Sequence, residues 1–328
     1  MRDQMEKHQS WIYLGFICAG LALGAYAPEL TASFDRLLWP LLGVLLYVTF
    51  TQIPLLRIAQ GATDTRFMIA LLVGNFVAIP AFLAMMLLWL PLSPAVLAGL
   101  LLVLLVPCTD WFISFTHLGK GDTARAIAAT PLLLLVQIIA LPLYLWLFLG
   151  SEWFLLTFST ALLGAFAGFI LLPLALAWLT EYAGARQPRI KKITYCLGIL
   201  PVPLLALVVF TIAASQVNSL DGLYYVMAQV VLIFIGFLMF AGWLGKLLGT
   251  LFRLPVASAR TLAFSFGTRN SFVMLPIALA LPEALQVAVV VIVFQSLVEL
   301  FGMIVFLRWV PNRLLPKGHG QESRPANQ

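Results

Sequence analysis

Apolar residues run in long stretches along the chain and are separated by short polar connectors. A helix that crosses the roughly 30 Å core of a bilayer needs about 20 residues, and only helices or closed barrels satisfy their backbone groups there. The stretches therefore predict ten transmembrane helices, spans 1 to 10, which lie approximately at residues 10–27, 36–56, 66–90, 94–118, 122–149, 153–180, 190–215, 222–248, 256–281 and 283–308.

Ten spans divide into two sets of five. Because five is odd, the two sets enter the membrane with opposite orientation, as in inverted-repeat transporters. Residues 1–180 hold the first repeat, spans 1 to 5, and span 6 as the start of the second repeat; residues 181–328 hold spans 7 to 10 and a C-terminal tail. We predict one integrated, all-α polytopic membrane protein made of two inverted five-helix repeats.

Two spans are interrupted midway. Span 4 reads "LLVLLVPCTDWFISF" and span 9 reads "LAFSFGTRNSFVMLP". Pro107 removes a backbone donor from span 4, and Gly267 loosens span 9. Paired interruptions in the two halves of a chain are typical of a transporter binding site. We therefore expect broken helices 4 and 9 to cross at the midplane and expect substrate contacts from the following residues: Cys108, Thr109, Arg269, Asn270 and Ser271.

Composition supports the membrane assignment, because 62% of the residues are apolar and 10% are charged, with a mean hydropathy of +1.03. Such values exclude a soluble surface. With a cytoplasmic N-terminus, all of the 19 lysines and arginines except Arg36 and Arg269 fall on the cytoplasmic side. This bias predicts that both termini are cytoplasmic in the cell (inner) membrane. Loops facing anionic lipid account for the net charge of +6, so no nucleic acid partner is expected.

Three charged residues fall inside the spans: Asp110, Arg269 and Glu299. A charge at the centre of a spanning helix costs about 2.5–3.5 kcal/mol on insertion scales, so each is a functional candidate. Asp110 and Arg269 lie in the two interruptions and are expected to form an ion pair, which either fixes the crossing or contacts the substrate. Glu299 is a candidate for proton coupling, together with Asp110; alternatively, Glu299 is hydrogen-bonded to Gln295 one turn away.

Three segments carry a resemblance to a known family: "VPCTDWFISFTHLGKGD", "FGTRNSF" and "QSLVELFGMIVFLRW". The chain resembles the bile acid:sodium symporter superfamily, and most closely its arsenite efflux permease branch. The resemblance implies a panel and a core subdomain, with helices 4 and 9 crossing in the core. It also implies that Pro107 and Cys108 match a proline-cysteine pair at the helix 4 break, and that Glu299 matches a glutamate in the last helix. Cys108 would then bind the transported metalloid.

The chain departs from both branches of that superfamily. The arsenite branch has two asparagines and then a glutamate in the helix 9 break, where this chain reads Arg269, Asn270, Ser271 and Phe272. The positions that hold sodium in the sodium-coupled branch correspond here to Phe112, Ile113, Ser265 and Arg269. Two apolar side chains and an arginine do not suit a hard cation, which prefers oxygen ligands, so we expect transport without sodium.

These observations predict a secondary active transporter that exports arsenite or antimonite in exchange for protons. A transporter of a small organic or inorganic anion, attracted by Arg269, is the alternative within the fold; a non-transporting scaffold or receptor is the alternative of another class. No phosphate-binding loop, metal-ligand spacing or nucleophile elbow occurs in the sequence, so neither an enzyme nor a cofactor is expected. The expected partners are the lipid bilayer, the small-molecule substrate and protons, and a homodimer is left open.

Overall fold

A computed structural model describes residues 2–31, 34–53, 64–109, 111–150, 160–216 and 224–316 of the chain. Over these residues the secondary structure is helical apart from turns and one isolated antiparallel β-bridge. Asp110 and the C-terminal tail from residue 317 lie outside the described residues.

Nine helices precede residue 167. They are α1 (Arg2–Tyr26), α2 (Pro28–Thr31), α3 (Phe34–Phe50), α4 (Thr65–Val73), α5 (Ile79–Leu87), α6 (Pro94–Leu104), α7 (Trp111–Leu118), α8 (Thr123–Leu149) and α9 (Thr160–Phe166) among the described residues. One π-helical turn, Gly74–Ala78, joins α4 to α5, so that the two form one continuous span.

Seven helices follow. They are α10 (Leu172–Arg186), α11 (Pro188–Leu197), α12 (Pro201–Gln216), α13 (Tyr224–Leu251), α14 (Val256–Gly267), α15 (Ser271–Leu279) and α16 (Val287–Trp309) among the described residues. Shorter helical turns complete this half: a π-helical turn, Ala167–Leu171, leads into α10, a 3-10 turn, Glu283–Leu285, precedes α16, and a second π-helical turn, Val310–Leu314, follows α16.

Local sequence explains where several helices begin. Four polar side chains accept a hydrogen bond from a backbone N–H in the first turn and so cap their helices. They are Asp64 for α4, Ser93 for α6, Asp122 for α8 and Asn270 for α15. Proline follows as an early helical residue in α6, α11 and α12, where its missing N–H has no cost.

Five helical segments of the described chain are long and apolar enough to cross a membrane, and a sixth is added if α11 and α12, bent by 42°, count as one. The five are Thr65–Leu87, Thr123–Leu149, Leu162–Arg186, Val226–Leu251 and Glu283–Leu314. Predicted spans 1 and 2 correspond to shorter apolar helices, and spans 4 and 9 are each divided in two. The protein is therefore an all-helical, multi-pass membrane protein, while ten crossings and an inverted repeat stay predictions.

The helices pack in two groups. One contains α1, α3, α10 and α12, in which α1 and α3 both lie along α12. The other contains α6, α13, α14, α15 and α16, in which α16 packs against α6 and α13. The broken helices belong to the second group, so the site that they form lies inside the bundle.

An ion-pair network joins three helix starts at one end of the second group. Arg125 of α8 contacts Asp64 at 2.6 Å and Asp122 at 3.1 Å, and it also donates to Ser258 of α14. The backbone N–H of Asp122 donates to Thr261 Oγ1 at 2.8 Å. The N-terminal ends of α4, α8 and α14 are thereby held together.

Candidate functional site

The two helix interruptions meet through their backbones. Helix α6 ends at Leu104 and α7 begins at Trp111, while α14 ends at Gly267 and α15 begins at Ser271. Pro107 and Arg269 form an antiparallel β-bridge. In it the Cys108 N–H donates to the Thr268 carbonyl at 3.2 Å, and the Asn270 N–H donates to the Val106 carbonyl at 2.9 Å. The extended backbones of the two breaks thus satisfy each other's hydrogen bonds away from water.

Gly267 has a packing role that the sequence did not reveal. Helix α14 continues through Gly267, and the interruption begins at Thr268. A Cβ atom on Gly267 would lie 2.9 Å from Met303 Cε and 3.0 Å from Phe306 Cε1 of α16. The absence of a side chain therefore lets α16 approach the break closely.

Arg269 is buried, with 2% of its surface exposed. Its Nη2 donates to the carbonyls of Ser265 at 2.9 Å and Phe266 at 2.7 Å, and its Nη1 donates to the carbonyl of Leu104 at 3.3 Å. These carbonyls lie at the C-terminal ends of α14 and α6, where the helix dipole favours a positive charge. The guanidinium also lies over the ring of Phe237, 5.4 Å from its centroid.

Asn75 provides the fourth acceptor for the Nη atoms of Arg269, and it was not among the site residues predicted from the sequence. Its Oδ1 accepts from Arg269 Nη2 at 2.9 Å, and its Nδ2 donates to Ser265 Oγ at 3.1 Å and to the Leu71 carbonyl at 3.2 Å. Asn75 is fully buried in the π-helical turn of residues 74–78. Apart from Arg66 at its edge, Asn75 is the one strongly polar residue of predicted span 3, and that isolation was the available signal.

Glu299 lies beside the same break. Its Oε2 accepts from the backbone N–H of Arg269 at 2.7 Å and from Gln295 Nε2 at 2.6 Å. Ser271 Oγ in turn contacts Gln295 Oε1. Each of these side chains is at most 3% exposed, so α16 is connected to the start of α15 by a buried polar chain. The hydrogen bond between Glu299 and Gln295, one of the two alternatives for this carboxyl, is therefore present.

The cysteines occupy different environments. Cys108 is 2% exposed, and Thr109 beside it is 1% exposed, whereas Cys18 and Cys196 are exposed. Cys108 and Glu299 both lie close enough to the guanidinium of Arg269 to interact electrostatically with it. Asp110 lies outside the described residues, so its ion pair with Arg269 and its part in proton coupling stay predictions.

A closed cleft separates the site from the first helix group. Trp111 stacks on Tyr13 of α1, with ring centroids 6.0 Å apart, and meets Phe272 edge-on at 5.3 Å. A volume of about 10 Å³ is left between residues of α3 and α12 on one side and Trp111, Asn270 and Phe272 on the other. That volume has room for about one water molecule, so a solute reaches Asn270 through this cleft only if the two helix groups separate.

Broken helices with a buried polar site between them define the class of multi-pass membrane transporters. The model of the Sodium Bile acid symporter family matches residues 39–222, more than half of the 328 residues, and the chain belongs to this family. Members of this family are membrane transporters rather than enzymes. The expected location in a lipid bilayer and the expected small-molecule substrate both agree with membership of the family. The comparison with curated proteins found no match.

Proposed function

We propose that this protein exports arsenite or antimonite in exchange for protons, without sodium coupling. The observation that carries the proposal is the position of Cys108, which is buried at the crossing of the two breaks and next to the polar cluster of Arg269, Gln295 and Glu299. Arsenic(III) is thiophilic, and a single cysteine forms one reversible bond, which suits transport better than a site of several thiolates.

The charges around Cys108 favour a neutral cargo. The Arg269 guanidinium and the Glu299 carboxyl lie close together beside it. Both Nη atoms of Arg269 already donate to carbonyls or to Asn75. A site arranged in this way offers little attraction to an anion but accepts arsenous acid, which is uncharged near neutral pH.

One observation favours the second candidate, a transporter of a small organic or inorganic anion. The Nε–H of Arg269 is buried and has no acceptor among the described residues. A carboxylate or other anion that reached this N–H would satisfy it and would leave Cys108 with a packing role only.

Protons are the proposed coupling ion. Glu299 is a buried carboxyl within the transport site, and such a group can load and release a proton as the site opens to either side. Sodium is not expected to bind, because the buried ring of Phe112 and the side chain of Ile113 offer no oxygen ligands and Arg269 adds a positive neighbour.

The test is metalloid accumulation in cells that lack their own arsenite exporters, with and without this protein. Expression should lower accumulated arsenite, and Cys108→Ser should raise it to the level of cells without the protein. Cys18→Ser and Cys196→Ser are matched controls on exposed positions and should behave as the unmodified protein. Efflux that persists in a well-expressed Cys108→Ser variant would exclude the thiol mechanism and favour the anion candidate.

A further inference from the structure

An apolar groove lies on the surface between α13 and α16. It has a volume of about 720 Å³, and the residues that line it are apolar throughout. Along α16 it extends from Phe294 to Trp309, a length of about 22 Å at a rise of 1.5 Å per residue. The groove therefore covers more than half of the roughly 30 Å hydrocarbon thickness of a bilayer.

A second cavity with basic residues continues the groove at the C-terminal end of α16. It has a volume of about 460 Å³, shares Val305 and Trp309 with the groove, and is also lined by Arg308, Asn312 and Arg313. Both arginines are exposed. Neither forms an ion pair with a carboxylate among the described residues.

We propose that the two cavities together bind one anionic phospholipid. Its acyl chain lies in the apolar groove, and its headgroup phosphate accepts hydrogen bonds from Arg308, Asn312 and Arg313. Guanidinium groups bind phosphate through paired N–H donors, and basic pockets at the membrane surface select anionic headgroups. Trp309 lies at the junction of chain and headgroup, the depth at which tryptophan is enriched.

A second copy of this chain fits the groove less well. Membrane homodimers form around an axis along the membrane normal, so the same end of α16 in both copies would face the same side. An interface centred on the groove would then bring Arg308 and Arg313 of both copies toward each other. Like charges at such short range are unfavourable, whereas an anionic headgroup neutralises them.

A different surface cavity provides an internal comparison. Between α5 and α13 a cavity of about 390 Å³ is lined by apolar residues and Gln229, with no basic residue. An acyl chain can occupy it, but nothing there selects a headgroup. Leu232, which lines this cavity and is 69% exposed, is therefore a matched position for the groove residue Val305, which is 62% exposed.

The experiment is native mass spectrometry of the purified full chain in detergent with dioleoylphosphatidylglycerol or dioleoylphosphatidylcholine. The unmodified protein should bind the anionic lipid in preference to the zwitterionic one. The Arg308→Gln/Arg313→Gln variant should lose this preference by roughly 30-fold, since each basic residue near a membrane surface contributes about fivefold. Val305→Trp should remove one bound lipid of either kind, whereas Leu232→Trp should leave the preference for the anionic lipid unchanged.

The control variant Arg66→Gln/Arg189→Gln loses the same charge outside the two cavities. It tests whether any basic residue attracts the anionic lipid, and it should keep the preference for the anionic over the zwitterionic lipid. Equal loss in that control, or full preference in Arg308→Gln/Arg313→Gln, would overturn the proposal. A Val305→Trp variant that turns a dimer into a monomer with unchanged lipid binding would assign the groove to a second copy. None of these readouts depends on the transported substrate, so they stand apart from the test of the proposed function.

Discussion

Two buried arginines nine positions apart, Arg260 and Arg269, occupy contrasting regions of the molecule. Each is 2% exposed, and each donates several hydrogen bonds to backbone carbonyls. Arg260 lies in α14 near its N-terminal end, and Arg269 lies in the break that follows α14. Their surroundings beyond the carbonyls differ, and that difference makes Arg269, rather than Arg260, the proposed transport residue.

Arg260 joins chain segments. Its guanidinium donates to the carbonyls of Leu315 at 2.7 and 3.0 Å, Lys120 at 3.2 Å and Pro311 at 3.3 Å. These acceptors come from the turn after α7 and from the segment after α16. Arg260 therefore holds three segments together. They lie at the end of the bundle that the distribution of lysines and arginines predicts to face the cytoplasm.

Arg269 has carbonyl acceptors too, but its neighbours are groups that can change protonation or bind a thiophile. Glu299 and Cys108 interact electrostatically with it, and Asn75 holds its Nη2. Burial and hydrogen bonding are common to both arginines and therefore do not by themselves single out Arg269 as the proposed transport residue. The presence of a buried carboxyl and a buried thiol in the same cluster is what distinguishes the second site.

The largest effect is expected for Arg269→Gln. Removing one partner of a buried charge pair costs about 3–5 kcal/mol, so folded yield should fall and transport should be lost. Size-exclusion profiles of the purified variant measure the yield. Adding the substitution that removes the counter-charge, either Asp110→Asn or Glu299→Gln, should restore folding but not transport. The substitution that restores folding therefore identifies the counter-charge. If neither restores folding, the carbonyl bonds dominate and Arg269 resembles Arg260.

A smaller loss, in stability alone, is expected for Arg260→Gln. The acceptors of Arg260 in the described part of the chain are carbonyls, so its removal leaves no buried counter-charge unpaired there, and the glutamine amide can still donate to some of them. We therefore expect a loss of about 1.5–3 kcal/mol, the contribution of one hydrogen bond to a charged group, and a lower thermal unfolding temperature in detergent. Transport per folded molecule should stay near the unmodified value, and adding Glu299→Gln should not restore stability. Loss of transport in a variant that remains folded would place Arg260 in the transport mechanism.

Glu299→Gln should change coupling more than stability. Glutamine keeps an acceptor for the Arg269 N–H but cannot ionise, so stability should change by about 1 kcal/mol or less if Asp110 is the counter-charge of Arg269. A loss of about 3–5 kcal/mol would instead identify Glu299 as the counter-charge. The variant should bind metalloid yet gain no speed when a pH gradient is imposed across proteoliposomes. Gradient-driven transport at the unmodified rate would leave Glu299 a structural residue bonded to Gln295 and would direct the search for the proton carrier to Asp110.

No change in the transport rate is expected when sodium is replaced by another cation, and this is the smallest of the predicted effects. Transport in proteoliposomes should run at the same rate in sodium, potassium or choline, because the matched positions Phe112 and Ile113 have no oxygen ligands and Arg269 supplies a positive charge. A steep dependence on sodium would show that the carbonyls around Arg269 admit a metal ion and would remove the sharpest difference between this chain and sodium-coupled transporters.

Some features of the site were accessible from the sequence because they depend on rare residues in an apolar background. Arg269 and Glu299 stand out as charges inside predicted spans, and Pro107 with Cys108 stands out as a polar interruption. Asn75 was missed, since one amide in a membrane helix is common and usually serves helix contacts. Its role depends on Ser265 and Arg269, which are 190 and more positions away.

The sequence by itself determined the class of molecule, because apolar stretches of membrane-spanning length leave helices as the available structure. It also determined which charges needed a buried partner, since the cost of a lone charge in lipid does not depend on the fold. Only the tertiary structure decided the partners: the β-bridge from Pro107 to Arg269, the carbonyls of Leu104, Ser265 and Phe266, and the backbone bond to Glu299. Backbone acceptors carry no sequence signature, so their convergence on one guanidinium is a property of the packed helices.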